Sequence, residues 1–126
     1  MPTITTGPKP LRSSASSTPL PGRAVKGSKS GRPIIAALNL LSRRWVLRII
    51  WELREEPRGF REMQARCDRM SPDTLSTRLS ELQEARIVEH DVEGYLTLTD
   101  LGRRLGPALR ELDSWSRAWE RALRNG

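Results

Sequence analysis

At Pro33 the chain changes character, and nearly all of its core-forming sequence lies after that point. Residues 1–32 carry Lys9, Arg12, Arg23, Lys26, Lys29 and Arg32, no acidic residue, and five prolines among Ser, Thr and Gly. Ordering a backbone costs about 1–2 kcal/mol per residue, and so little apolar surface cannot offset it. Residues 1–32 are therefore expected to be a disordered basic tail, and residues 33–124 one folded domain, too small for two cores.

The charge divides at the same place. Of the net +7, the six tail cations give +6, and the 16 Arg against 15 Asp+Glu in the remainder give +1. A basic excess favours nucleic acid or another anionic partner without specifying a fold. Here its attraction to phosphate would be sequence-indifferent and supplied by the tail. No apolar run approaches the ~18 residues of a spanning helix, and the prolines and glycines of residues 2–22 defeat a transit helix. A cytoplasmic, nucleoid-associated protein with no membrane partner is expected. Cys67 is the single cysteine, so neither an intrachain disulfide nor a thiolate metal site is available. It is expected to be a reduced, partly buried thiol, with an intersubunit disulfide as the alternative.

After Pro33, which suits a first helical position, Ile34, Ala37, Leu38 and Leu41 recur at helical spacing, and Trp45, Leu47, Ile49, Ile50 and Leu53 continue to Pro57. Two helices are expected, with Ser42 as a cap between them, or else one bent helix. A turn at 56–59 leads to a short helix over 61–66, anchored by Phe60 and ending near Cys67. Ser71 and Pro72 form the sharpest start signal, since serine caps orphan amides and proline is preset for helical φ. The helix they open should reach Ala85. Leu75, Leu79 and Leu82 line one side, Asp73, Thr77, Ser80 and Glu84 the other, and Thr74 and Arg78 flank the stripe. Two β-favouring runs, 87–92 and 95–98, meet at Glu93 and Gly94 in a tight hairpin. Thr99 then caps a final helix whose Leu101, Leu105, Ala108, Leu112, Trp115, Trp119 and Ala122 step by 4 and 3, with a bend at Pro107. Such a seam outruns the core of one small domain, so its distal half is expected to meet a second copy and the rest its own first helices.

The order helix, short helix, turn, helix, hairpin, helix is that of a winged helix-turn-helix: mainly α with a small β-hairpin. The segments "ALNLLSRRWVLRIIWEL", "RGFREMQ", "MSPDTLSTRLSELQEARIVE" and "YLTLTDLGRRLGPALRELDSW" resemble the HxlR family of bacterial transcription regulators, relatives of the MarR group. That resemblance implies a homodimer formed through the first and last helices, with Ile34, Leu38, Leu112, Trp115 and Trp119 at the interface. It also implies a palindrome-like operator on double-stranded DNA, helix 71–85 in the major groove and the hairpin as wing. A small-ligand sensor, with an unknown small-molecule effector held between the dimer helices and the DNA-binding region, is a further reading compatible with this one. By matching position, Ser71, Thr74, Thr77 and Arg78 would face the operator. Arg78 has the donors to read guanine O6 and N7, and Arg43, Arg44 and Arg61 would meet phosphate.

The chain also departs from the family. Some relatives carry a sensing cysteine just before the first helix, where this chain reads Ser30, Gly31, Arg32, Pro33. Asp73 stands where a basic residue is usual in the recognition helix, suited to a cytosine amino group or to weaker binding. The wing is short and holds Glu89, Asp91 and Glu93 against His90, so phosphate should repel its tip. The basic tail is expected to make good that lost attraction, and Lys29 to Pro33 resembles part of an AT-hook. Catalysis has no foothold: His90 lacks a nucleophilic partner, strand alternation separates the wing's carboxylates, and no phosphate-binding glycine loop is present. Neither an enzyme nor a cofactor is expected. The alternative function is a protein-interaction module on a winged-helix scaffold.

Overall fold

In the computed structural model, residues 18–22 and 32–126 are described. The expected disordered tail and its AT-hook-like segment thus fall almost wholly outside the described residues. Thr18 and Pro19 are buried, and Gly22, at φ 89°, ends a turn. The chain divides after Leu40 into two compact units.

Helix α1, Pro33–Leu41, lies in the first unit up to its last residue. Its proline occupies the first helical position as expected, and the Arg32 carbonyl accepts from the amides of Ile35 and Ala36, each at 3.1 Å. Ala36 and Leu40 are buried, whereas Ile34 and Leu38 are 58% and 59% exposed. The helix is apolar nearly all round, so periodicity alone does not choose its inner face.

The second unit runs from Leu41 into the turn at 42–45. The expected break is present, but Ser42 does not cap the next helix. Trp45 occupies the N-cap position of α2, Val46–Leu53, at φ 78°, a left-handed conformation costly for a bulky residue. The break is therefore made by backbone geometry, which no small cap residue announces. Helix α3 is Phe60–Arg66, and its anchor is not Phe60, which is 37% exposed, but the fully buried Met63. Helix α4, Pro72–Glu84, starts where Ser71 and Pro72 place it and buries Leu75, Leu79 and Leu82. Its C-terminus closes in a Schellman arrangement: Ile87 N donates to Leu82 O at 2.9 Å and Arg86 N to Gln83 O at 3.0 Å. Arg86 takes the φ of 62° there that glycine usually supplies.

Strands β1, Val88–His90, and β2, Leu96–Leu98, pair antiparallel with Val88 opposite Leu98 and His90 opposite Leu96. Both are shorter than their apolar runs because Asp91 turns the chain early. Its Oδ1 accepts from the amides of Glu93 and Tyr95, both at 2.9 Å, and Gly94 takes φ 88°. Arg58 adds a bridge on the other side of β2, exchanging both backbone hydrogen bonds with Leu96. Its buried guanidinium donates to Glu52 O at 2.8 Å and Glu62 Oε2 at 3.0 Å, fastening the α2–α3 turn to the wing.

Thr99 caps a helix, but only the four residues of α5, Asp100–Arg103. Gly102 allows that docking, since a Cβ there would lie 2.3 Å from Ile87 O. The chain then restarts as α6, Gly106–Asn125, with Pro107 in its first turn. The proline therefore opens a new helix where a bend in one long helix was expected, consistent with its missing amide. The core gathers Val46, Ile49, Ile50, Met63, Cys67, Leu75, Leu82, Val88 and Leu96, all at most 2% exposed.

Candidate nucleic-acid interface

Helices α3 and α4 are joined by the turn at 67–71, and charged side chains hold α3 against α2. Glu52 is the pivot: its Oε2 accepts from Arg48 Nε at 2.9 Å and its Oε1 from Arg66 Nη1 at 3.0 Å. Burial works to raise its carboxyl, but the hydrogen bonds from Arg48 and Arg66 outweigh it and hold the group below the ordinary glutamate range. Arg48 also donates to Arg66 O at 2.5 Å, and Gln64 Nε2 to Met70 O at 3.1 Å. Carbonyls at the end of α3 and in the turn are thereby satisfied. Asp68 and Arg69, at φ 58° and 59°, reverse the chain with Arg69 N bonded to Gln64 O. Cys67 is buried beneath this turn, Sγ 3.9 Å from Met63 Sδ, and burial pushes its thiol up, away from the reactive thiolate.

At the start of α4, Ser71 Oγ accepts from Thr74 N at 3.1 Å and donates to Thr74 Oγ1 at 2.8 Å. The two hydroxyls are thus first of all a cap, with Ser71 exposed and Thr74 half-buried. Asp73, Ser76, Thr77 and Ser80 are exposed along the side turned from the leucine stripe. Ser76 and Ser80 escape a residue-type search because serine is at home on any solvated helix.

The arginines separate into two groups. Arg44 and Arg61 are exposed, with the Arg44 guanidinium 5.3 Å from the centre of the Trp45 ring. Arg78 and Arg43 are both drawn to Glu81, a residue with no motif to mark it. Arg78 Nη1 lies 2.9 Å from Glu81 Oε1, Arg43 Nη1 pairs with Glu81 Oε2, and Arg78 Nε donates to Arg44 O at 2.9 Å. The turn at 42–45 is thereby tied to the middle of α4. On the wing, Glu89 and Glu93 are exposed and His90 Nδ1 lies 3.1 Å from Gln83 Nε2.

On α6 the only buried residue is Leu109, one place beyond the expected seam position Ala108. Leu112, Trp115, Trp119 and Leu123 are 48%, 58%, 54% and 68% exposed. The two indoles stack with centroids 5.3 Å apart and planes at 22°. Among the described residues no His, Cys, Asp and Glu cluster is placed to hold a metal, and no helix is long and apolar enough to cross a membrane.

Residues 40–123 match the family model described as HxlR-like helix-turn-helix. The chain belongs to the HxlR family of transcriptional regulators. It is 35% identical over 89 residues to the uncharacterized HTH-type transcriptional regulator YvaP of Bacillus subtilis, covering 66% of this chain and 82% of that one. Against the HTH-type transcriptional regulator YodB of the same organism it is 32% identical over 87 residues, 64% and 78% of the two chains. The crystal structure of quinone-bound YodB superposes with a TM-score of 0.62 at 33% identity, over 68% of this chain and 94% of that one. A regulator of the MarR family from Enterococcus faecalis, at 23% identity and TM-score 0.64, shares the fold. The winged helix-turn-helix architecture is thus common to this chain and to bacterial regulators of transcription.

Proposed function

We propose that this HxlR-family chain regulates transcription as a homodimer on palindrome-like operator DNA, with α4 in the major groove. The observation that carries this reading is the amphipathic, capped α4. Leu75, Leu79 and Leu82 are committed to the core, while Ser71, Asp73, Thr74 and Thr77 sit in its first turns, the part of a helix-turn-helix that meets base edges. Arg43, Arg44 and Arg61 contact phosphate, Arg78 reads a base edge, and Asp73 accepts from an exocyclic amine. The exposed acidic wing stays back from the backbone, and the six tail cations supply the sequence-indifferent attraction. Ile34, Leu38, Leu112, Trp115 and Trp119 form the dimer interface. Their exposure supports this separately for each helix, because contiguous exposed apolar side chains mark association surfaces. Capture of a small-molecule effector would not run through Cys67, whose thiol is buried and pushed up.

Gel shifts with genomic fragments at moderate salt test the reading. Wild type selects a few fragments, and Thr77→Ala and Arg78→Ala lose that selection while keeping weak general binding. If both variants select the same fragments as wild type, α4 is not the reader. A protein that retains no fragment at any salt is instead an interaction module, the reading that the near-neutral domain and acidic wing would then favour.

A further inference from the structure

Two cations of the proposed interface share one carboxylate, and the sharing has a consequence for DNA selection. Glu81 lies on α4 one turn beyond Arg78. Its Oε1 takes Arg78 Nη1 at 2.9 Å and its Oε2 takes Arg43 from the turn before α2. The Glu81 side chain is 13% exposed and the two arginines 23% each, so salt screens the cluster less than it would a rim pair. With one carboxylate against two guanidinium groups, the cluster carries +1 where the arginines alone would carry +2.

Arg78 is also restricted in the donors it can present. A guanidinium offers two forks to a base, Nε with Nη2 and Nη1 with Nη2, and the bidentate guanine contact uses one of them. In Arg78, Nε is held by Arg44 O and Nη1 by Glu81. Releasing the neutral Arg44 carbonyl frees the Nε–Nη2 fork while Glu81 still braces the group from behind. Releasing Glu81 instead breaks a charge-assisted hydrogen bond and leaves its Oε1, on a side chain only 13% exposed, without Arg78 while Arg43 keeps Oε2, the costlier exchange.

We propose that Glu81 is a specificity-determining residue of the DNA contact: it braces Arg78 toward a base edge and cancels one of two neighbouring cations, lowering attraction to phosphate of any sequence. The proposal rests on the DNA-binding reading above, with Glu81 acting as a positioning residue through Arg78 and Arg43.

The test uses the full chain and a random-sequence 30-base-pair duplex, and measures the slope of log K against log salt for wild type and Glu81→Gln. The variant is expected to bind this duplex more tightly, with a slope steeper by about 1 per subunit, the increment of one further cation given to phosphate. An unchanged or shallower slope in a folded variant overturns the proposal and leaves Glu81 a strut between α4 and the 42–45 turn. Should Glu81→Gln fail to fold, NMR of wild type decides. The Arg78 Nε–H and Glu81 carboxylate signals are expected to stay in place when the random duplex is added, and movement of both means that phosphate takes the arginine. Wild type that binds no duplex at low salt refutes the DNA-binding reading itself, an outcome distinct from failure of the Glu81 role.

Discussion

Replacing Trp119 by alanine should dissolve the homodimer and leave the fold. Trp119 is 54% exposed, and a tryptophan offers up to about 250 Å² to burial, so about 135 Å² of each indole remains for a partner. At about 25 cal/mol per Å² that is roughly 3 kcal/mol per subunit, or about 6 kcal/mol for the two symmetric copies. Ordering of side chains and imperfect contact reduce what an interface realises. A loss of about half that sum, near 3 kcal/mol, still weakens dimerisation by roughly 150-fold. Trp119 contributes little to the fold of its own subunit beyond the stack on Trp115 at 5.3 Å, so the melting temperature of the dissociated chain should be nearly unchanged. Sedimentation equilibrium from about 1 to about 100 μM separates the two species over the relevant range. Wild type should be dimeric through that range and Trp119→Ala monomeric through most of it. A wild type that is monomeric throughout, or a variant with the same dimer constant, refutes the placement of α6 in the interface.

The fold sets three further outcomes. Gly102→Ala forces a Cβ to within 2.3 Å of Ile87 O, a backbone atom already bonded to Thr99 N at 2.9 Å. It should cost about 2 kcal/mol or more in urea unfolding, and a change below about 0.5 kcal/mol would show the α5–wing contact to be looser than described. Arg86→Gly relieves a φ of 62° in a residue with a side chain and should stabilise by up to about 1 kcal/mol, whereas a loss would mean the Arg86 side chain contributes more than its backbone strain costs. Hydrogen bonds from Arg48 and Arg66 hold the folded Glu52 carboxyl low against the effect of burial, so its stabilisation is complete above the ordinary glutamate range and is lost as pH falls through the depressed folded value. The urea midpoint of wild type should therefore drop on acidification while that of Glu52→Gln, lower at neutral pH, drops less; parallel curves would remove Glu52 as the pivot.

The features legible in the sequence were those that local chemistry dictates. Ser71 and Pro72 start a helix in any context, Leu75, Leu79 and Leu82 need a core, and Thr99 caps the turn of helix after it. The break before α2 was legible but its cap was not, because Trp45, and neither Ser42 nor a glycine, takes the N-cap position there in a left-handed conformation. The inner face of α1 was illegible in a helix apolar on every side. Asp91 shortened the hairpin through side-chain acceptance that strand propensity does not register. The partnership of Arg43 with Glu81 spans 38 positions, and one sequence offers no signal for it. The residues that would face DNA were found by type and by family resemblance, and the structure adds which of them are committed elsewhere.

Entry of α4 into the major groove of two symmetric half-sites can be tested by directed cleavage. Ser76 is exposed on that helix and Cys67 is buried with its thiol pushed up, so Ser76→Cys offers a single reactive site for a tethered DNA-cleaving reagent. On a selected genomic fragment the cuts should fall in two clusters about one helical turn, or a whole number of turns, apart. Cuts spread evenly along the fragment, or none on a fragment that the protein retains, would contradict that placement of α4.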